Sequence, residues 1–417
     1  MAEWICRRRR PARQGGAGFT HTTWSVPTGV CCTTLYWPVT GGATATHGSD
    51  HPVTRTAPLH GPGPIPDRGI AAAAIGLDVG GGSIKVGAVL QDAAGRLHAA
   101  HRWPGLEHLE PRRVGHRSLG LSDATDLDQL CSTTAQRMAA ELAHCIPPVP
   151  IGWGVAAAAW IRPDDGHSVF SPHLTAWRDH PVRAALTTAV TSQPGPLRTA
   201  PAVANDADAA AWAEARLGAG TDPLPHHGTR PSRLVFVAIG TGIGGALIRD
   251  GVLETGAHGM AGEYGHMSLD PSGPPCACGG AGCWETLVSA SALAHRAGRT
   301  SARSVLDDAL AGDRRCAEAL VETGRWLGRG LSVLTAALDP DLLVIGGGVS
   351  VGGELLLGPA RTELERLLPG RRHRSAPAVV GARLGNDAGW LGAAGLAFRP
   401  ERRRRDPDLG DPSPAEG

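Results

Sequence analysis

The stretch Ala71-Ala-Ala-Ala-Ile-Gly-Leu-Asp78-Val79-Gly80-Gly81-Gly82-Ser83-Ile84-Lys85-Val86-Gly87-Ala88-Val89-Leu90 is an apolar run, a cluster of glycines and a second apolar run. It reads as strand, tight turn, strand, because glycines bend a chain sharply where a side chain would clash. The same succession returns at Leu234-Val-Phe-Val-Ala-Ile239, Gly240-Thr241-Gly242-Ile243-Gly244-Gly245 and Ala246-Leu-Ile-Arg-Asp250. Two copies of one device predict two related domains facing each other. Helical patterns at residues 126–145, 207–217, 288–297 and 314–338 alternate with the strands, so the predicted fold class is α/β. In the last of these, Leu320, Trp326, Leu327, Leu331 and Leu334 recur at helical spacing and read as core.

Outside residues 71–398 this patterning stops. Residues 1–70 are rich in Gly, Pro, Thr, His and Arg without a strand or helix period, and residues 399–417 continue in the same way, so both read as flexible, disordered tails. The arginine runs at 7–10 and 402–405 read as solvated tail. Forty Lys and Arg against thirty-nine Asp and Glu leave a net charge of +1, which removes the electrostatic case for a nucleic-acid or anionic-membrane partner. No apolar run reaches the roughly 18 residues of a membrane span, and no apolar segment follows the N-terminal basic cluster as a secretory signal requires. Nine cysteines, an odd number at irregular spacing, speak against a disulfide framework and for a reducing compartment, the cytoplasm. Lys85 is the only lysine of the chain, next to the first glycine turn.

Both glycine turns are candidate phosphate sites, since backbone N–H groups free of Cβ atoms approach an anion closely. Neither has P-loop spacing, and a strand, not a helix, follows the first. Asp78, at the end of the first strand, suits a metal-bound water. Lys85 is read either as a phosphate contact or as a solvated strand residue. His266, Cys276, Cys278 and Cys283 supply one imidazole and three thiolates within eighteen positions of a Gly- and Pro-rich loop, the donor set of a closed, structural tetrahedral zinc site. Glu263 and Glu285 flank that loop, at fixed directions suited to vicinal hydroxyls. Asn205 and Asp206 stand at a strand-to-helix junction, where a general base and a simple helix cap are both open readings.

In order along the chain, Asp78-Val-Gly-Gly-Gly-Ser-Ile-Lys85, Asn205-Asp-Ala-Asp-Ala-Ala-Ala211, Ile239-Gly-Thr-Gly-Ile-Gly-Gly245, Gly262-Glu-Tyr-Gly-His266, Cys276-Ala-Cys-Gly-Gly-Ala-Gly-Cys-Trp-Glu285 and Ile345-Gly-Gly-Gly-Val-Ser350 resemble the motif set of the ROK (repressor, open reading frame, kinase) sugar kinases, most of all the actinobacterial-type glucokinases. The resemblance covers roughly residues 74–398. It implies an actin-like ATPase (ribonuclease H-like) fold: a smaller α/β domain over 71–203, rejoined by a helix over 386–398, and a larger one over 204–385 holding zinc. It implies a cytoplasmic, glycolytic kinase that takes ATP with Mg²⁺ and phosphorylates the 6-hydroxyl of a hexose, most of all glucose, as a homodimer or homotetramer. Asp206 would be the base, and Asn205, Asp206, Glu263, His266 and Glu285 would hold the sugar. Gly80, Gly81, Gly82, Ser83, Lys85, Gly240, Thr241, Gly242, Gly244 and Gly245 would lie at the phosphates, Asp78 near Mg²⁺, and Gly346, Gly347 and Gly348 against adenosine.

The chain departs from the family pattern at Gly82 for the usual Thr, Ala204 for Glu, Asp208 for Asn, His173 for Asn, and in the run Ala156-Ala157-Ala158-Ala159-Trp160. These leave open which hexose is taken and whether polyphosphate replaces ATP. The alternatives are an N-acetylmannosamine or other hexose kinase, a sugar binder without turnover, or a transcription regulator. The regulator needs a helix-turn-helix ahead of the kinase-like part, and residues 1–70 show no such pattern.

Overall fold

The structure, a computed structural model, describes residues 69–116, 123–224 and 228–398. The tails at 1–68 and 399–417, with their arginine runs, lie outside the described residues. The chain begins with β1 (Ile70–Val79), β2 (Ser83–Asp92), β3 (Leu97–Ala99) and β4 (Arg112–Gly115), then α1 (Ala124–Cys145), β5 (Ile151–Ala157), β6 (Trp160–Ile161) and β7 (Ser168–Phe170). It continues through α2 (Val182–Thr191), β8 (Ala202–Asn205), α3 (Asp206–Leu217), β9 (Arg233–Ile239), β10 (Ile243–Arg249) and β11 (Val252–Glu254). There follow α4 (Trp284–Val288), α5 (Ala290–Ala297), α6 (Ala302–Leu310), α7 (Arg314–Leu338), β12 (Leu342–Gly346), α8 (Glu354–Leu367), β13 (Ala378–Gly381) and α9 (Ala388–Leu396).

Two sheets repeat one plan. The first runs β3-β2-β1-β5-β8, with β4 also on β2, and the second runs β11-β10-β9-β12-β13. In each, an antiparallel hairpin (β1 on β2, β9 on β10) is extended by parallel strands (β5 on β1, β12 on β9). The duplicated strand-turn-strand device is therefore the centre of each sheet. Both central strands are mostly buried, as near-continuous apolar runs require.

Packing explains several glycines. Helix α9 lies against the first sheet and α3 so closely that a Cβ at Gly154 would fall 2.1 Å from the Ala393 carbonyl oxygen, and one at Gly392 would fall 1.9 Å from that of Ala209. On α7, Gly324 and Gly328 face the Leu356 and Ala360 carbonyls of α8, and Gly330 makes room for the buried Trp284 ring. Such backbone approach adds dispersion contacts over the whole helix length. Leu320, Leu327, Leu331 and Leu334 are core as predicted, each burial stabilising by roughly 1.5–3 kcal/mol. Trp326 is only partly buried, and its ring carries the Arg329 guanidinium at 4.2 Å.

Several boundaries differ from the sequence expectation. The helix expected at 288–297 starts at Ala290, because the Ser289 hydroxyl caps it by accepting from the Ala292 N–H. The strand expected to begin at Ala246 begins at Ile243, so Gly244 and Gly245 are strand residues whose missing side chains admit Ala207 and the Tyr264 ring. The returning helix, expected from 386, begins at Ala388 after a single 3₁₀ turn at Gly385–Asp387.

Candidate active site

The junction of β8 and α3 supplies the central carboxylate. The apolar strand residues end at Asn205, whose extended backbone and side chain make it the helix cap: Oδ1 accepts from the N–H groups of Ala207 (2.8 Å) and Asp208 (3.3 Å). Its Nδ2 donates to the Ala159 carbonyl (3.1 Å), which ties α3 to the loop after β5. Both open readings of this junction thus meet in one place, with Asn205 as the cap and Asp206 directed to a cavity. Asp206 Oδ1 accepts from the Ala207 N–H at 2.9 Å. Burial first, then the charge of Asp78, pushes its carboxyl up to about 6.

That cavity, about 40 Å³, is bordered by Trp160, Asn205, Asp206, Asp208, Gly244, Gly245, Gly259, Ala261 and Glu263. A larger one of about 860 Å³ lies between α8 and β13, lined by Arg361, Arg371, Arg372 and Arg374 among others, and holds none of the predicted residues. Chemistry therefore points to the smaller cavity, where carboxylates converge.

Behind it stands the cysteine loop. The ligand atoms of His266, Cys276, Cys278 and Cys283 all lie within 4.8 Å of one another. Cys278 Sγ and Cys283 Sγ are 3.6 Å apart, and Cys276 Sγ and His266 Nδ1 are 3.7 Å apart. A tetrahedron with Zn–S near 2.3 Å has edges of about 3.8 Å, which these two pairs match, so the donor set suits a zinc ion. With Nδ1 on the sulfur side, His266 turns Nε2 toward Glu263 Oε2 at 3.7 Å. Glu285, in the first turn of α4, accepts from the Cys276 thiol (3.1 Å) and lies 3.5 Å from His266 Nδ1. Burial pushes the Glu263 carboxyl up, opposed by His266.

The glycine turns sit at the carboxyl ends of the two sheets' central strands. In the first, the Gly80 N–H donates to the Ser83 carbonyl (3.0 Å), His116 Nε2 donates to the Gly80 carbonyl (2.7 Å), and Arg113 Nε donates to Ser83 Oγ (2.8 Å). The Gly82 carbonyl accepts from the His116 N–H, and Gly81 faces His173 across the space of a missing Cβ. In the second, Gly240 N–H donates to the Gly242 carbonyl (2.9 Å), Thr241 is exposed, and a Cβ at Gly242 would lie 2.7 Å from Glu285 Oε2. Gly346 ends β12 under Phe236. Gly347, with φ +81°, presses on the Ile239 backbone, and Gly348 is open. Lys85 Nζ turns to Asp78 Oδ2 and to the Asn386 carbonyl.

Asp206, Glu263, His266, Glu285 and the three cysteines are thus one contiguous group, joined to the second glycine turn through Gly242 and to Asp78 through its charge on Asp206. The glycines at 346–348 lie beside the second turn, away from the cavity. Sequence reasoning did not single out Gly259, His116 or Arg113, and it treated Asp208 and the run ending in Trp160 only as departures. Trp160 stands alone after four alanines, a visible signal. The others are joined only by tertiary packing.

The sequence profile described as "ROK family" matches residues 124–399. The chain belongs to the ROK family. It is 32% identical over 349 residues to the glucokinase of Streptomyces coelicolor, covering 78% of this chain and 98% of that protein. The crystal structure of a ROK family glucokinase from Streptomyces griseus, in complex with glucose and AMPPNP, superposes with a TM-score of 0.59 at 30% identity, over 78% of this chain and 99% of that one. A ROK hexokinase from Thermus thermophilus gives 0.60 at 28% identity, over 78% and 98%. The two repeated sheets of this ROK protein are accordingly those of the actin-like ATPase fold. No helix among the described residues is long and apolar enough to cross a membrane.

Proposed function

We propose that this ROK family protein is an ATP-dependent sugar kinase of the glucokinase type, transferring the γ-phosphoryl group to the 6-hydroxyl of glucose. The observation that carries the reading is the convergence of Asp206 and Glu263 on one cavity, with Glu263 facing the imidazole edge of the cysteine loop. Similarity to glucokinases over nearly their whole length supports it.

Asp206 takes the proton of the attacking hydroxyl, the oxygen forms its bond to the γ-phosphorus, and the bridging oxygen leaves with ADP. A carboxyl raised toward neutrality yet ionised at pH 7 suits that exchange. Glu263, Glu285 and His266 Nε2 hold ring hydroxyls. Asn205, whose oxygen is taken up in capping, offers its remaining N–H. The turns at 80–83 and 240–245 present N–H groups to the phosphates, with Lys85 beside the first, and the glycines at 346–348 adjoin the adenosine. Asp78 would hold Mg²⁺, which supplies charge neutralisation at the phosphates. His266, Cys276, Cys278 and Cys283 would hold a structural zinc that fixes the loop.

The domains would divide near residues 203 and 385, with α9 closing the smaller one, and the protein would act in the cytoplasm as a homodimer or homotetramer. A coupled ADP-release assay with glucose tests the activity, with mannose, N-acetylmannosamine and polyphosphate as comparison substrates. Wild type turns over glucose with ATP, and Asp206→Ala loses at least about a hundredfold in rate. Equal rates for the two proteins reject the mechanism.

A further inference from the structure

Three carboxyl groups border one small cavity: Asp206 and Asp208 from the first turn of α3, and Glu263 from the segment before His266. Among the described residues, no lysine, arginine or histidine lines it. Two of the three have a donor: Asp206 accepts from the Ala207 N–H, and Glu263 accepts from the Trp160 side chain. Asp208 has none. It is 6% exposed, its own N–H is used on Asn205 Oδ1, and no hydrogen bond reaches its carboxyl oxygens among the described residues. Three ionised carboxylates around one small cavity repel one another, and the proton goes to the group with the deepest burial and the fewest donors.

We propose that Asp208 is a proton-holding positioning residue: as a neutral carboxylic acid it leaves Asp206 the anion that serves as base, and loss of its proton shuts the pocket down. This rests on the reading of Asp206 as the base. The groups facing Asp208 are Asp206 on its own helix, Glu263, and the Tyr264 phenol, which burial drives well above its usual range. Asp78 acts on Asp206 from β1. Burial first, then the charges of Asp206 and Glu263, pushes Asp208 up to about 8, whereas Asp206 rises to about 6. Asp208, more buried and without a donor, therefore holds the proton more strongly than Asp206, and the pair titrates as a unit. A neutral Asp208 also keeps an O–H donor to offer inside the cavity. Its ionisation removes that donor and adds a buried negative charge beside the approaching phosphoryl group.

The test is kcat/KM for glucose from pH 6 to 9.5 in wild type and Asp208→Asn, a replacement of the same shape that keeps a donor and cannot ionise. Wild type falls about tenfold per unit above pH about 8, whereas the variant stays level to 9.5 and within about threefold of wild type at pH 7. The same alkaline fall in both proteins overturns the proposal, and so does a level wild-type profile, which needs no variant. Melting temperature supplies a readout without turnover. A carboxyl whose folded pKa is raised contributes stability that is complete below its unfolded value and is lost as pH rises through the folded one. The advantage of Asp208→Asn over wild type therefore grows from pH 5 to 8, and parallel curves overturn the proposal. Should Asp206→Ala keep the full rate, the base assignment fails while the melting curves still judge Asp208. Should it lose the rate with the alkaline limb unchanged in Asp208→Asn, the Asp208 proposal alone falls.

Discussion

Lys85 Nζ lies 3.2 Å from Asp78 Oδ2 and 3.0 Å from the Asn386 carbonyl, so the chain's only lysine joins the first strand to the segment that returns 301 residues later. Asp78 is packed over Gly389 at the start of α9, where any Cβ would lie 2.7 Å from its carboxyl carbon. One ion pair therefore fixes the Asp78 carboxylate against both the glycine turn and the returning helix.

Lys85→Met removes the counter-charge of Asp78. Both side chains are partly solvent-exposed, so the metal-free protein loses no more than about 1 kcal/mol in denaturant unfolding. The larger effect is on Mg²⁺: a cation competing for Asp78 is gone, and half-maximal rate is reached at a lower Mg²⁺ concentration. A higher Mg²⁺ requirement with weakened ATP use would instead assign Lys85 to the phosphates.

The acid side of the rate profile belongs to Asp206. With its carboxyl raised to about 6 by burial and by Asp78, log(kcat/KM) for glucose falls with unit slope below pH about 6, and Mg²⁺ beside Asp78 moves that limb lower. The stability effect has the opposite sign. Burying an acid with a raised pKa costs nothing below its ordinary value of 3.8, and the cost grows as pH rises through about 6. Asp206→Asn, though inactive, therefore melts higher than wild type at pH 8 and equally at pH 4. An acid limb unaffected by Mg²⁺ would separate Asp78 from the base.

The sequence made the hairpins, the helix at Arg314–Leu338 and the cysteine loop readable, because each is written in contiguous residues: glycines between apolar runs, a leucine stripe, donors at short spacing. What joins them is not contiguous. Gly242 is a loop residue by composition, and only the folded chain brings it to Glu285. Gly245 reads as a phosphate contact, yet it lies under Tyr264. Asn205 and Asp206 kept two readings because capping and catalysis ask for the same residue types at a helix start. Which of Asp206 and Asp208 holds a proton depends on burial, which no spacing records.

The cysteine loop should carry metal at one zinc per chain by elemental analysis. Stripping it with a strong chelator leaves three thiols and an imidazole facing one another without a cation, and His266 and Glu285 lose their fixed directions. Melting temperature falls by at least about 5 °C and glucose affinity weakens, and both return on adding zinc. Cys283→Ser, at the buried end of the loop, reproduces the loss. A chelator-treated protein that keeps its melting point and affinity would leave the loop without a structural ion.

Gly242→Ala tests the link between the second glycine turn and the sugar side. Gly242 has no positive φ, so alanine is tolerated by the backbone, and its Cβ meets only the end of the Glu285 side chain, at 2.7 Å. A flexible carboxylate moves aside at small cost in stability, so the melting temperature stays within about 2 °C of wild type. Glu285 sits beside Cys276 Sγ and His266 Nδ1 at the cysteine loop, so a shift of its carboxylate changes the direction it presents to the sugar. The KM for glucose therefore rises several-fold while the KM for ATP changes less. A rise confined to ATP would show that the turn serves the phosphates alone and that Glu285 has room to adjust.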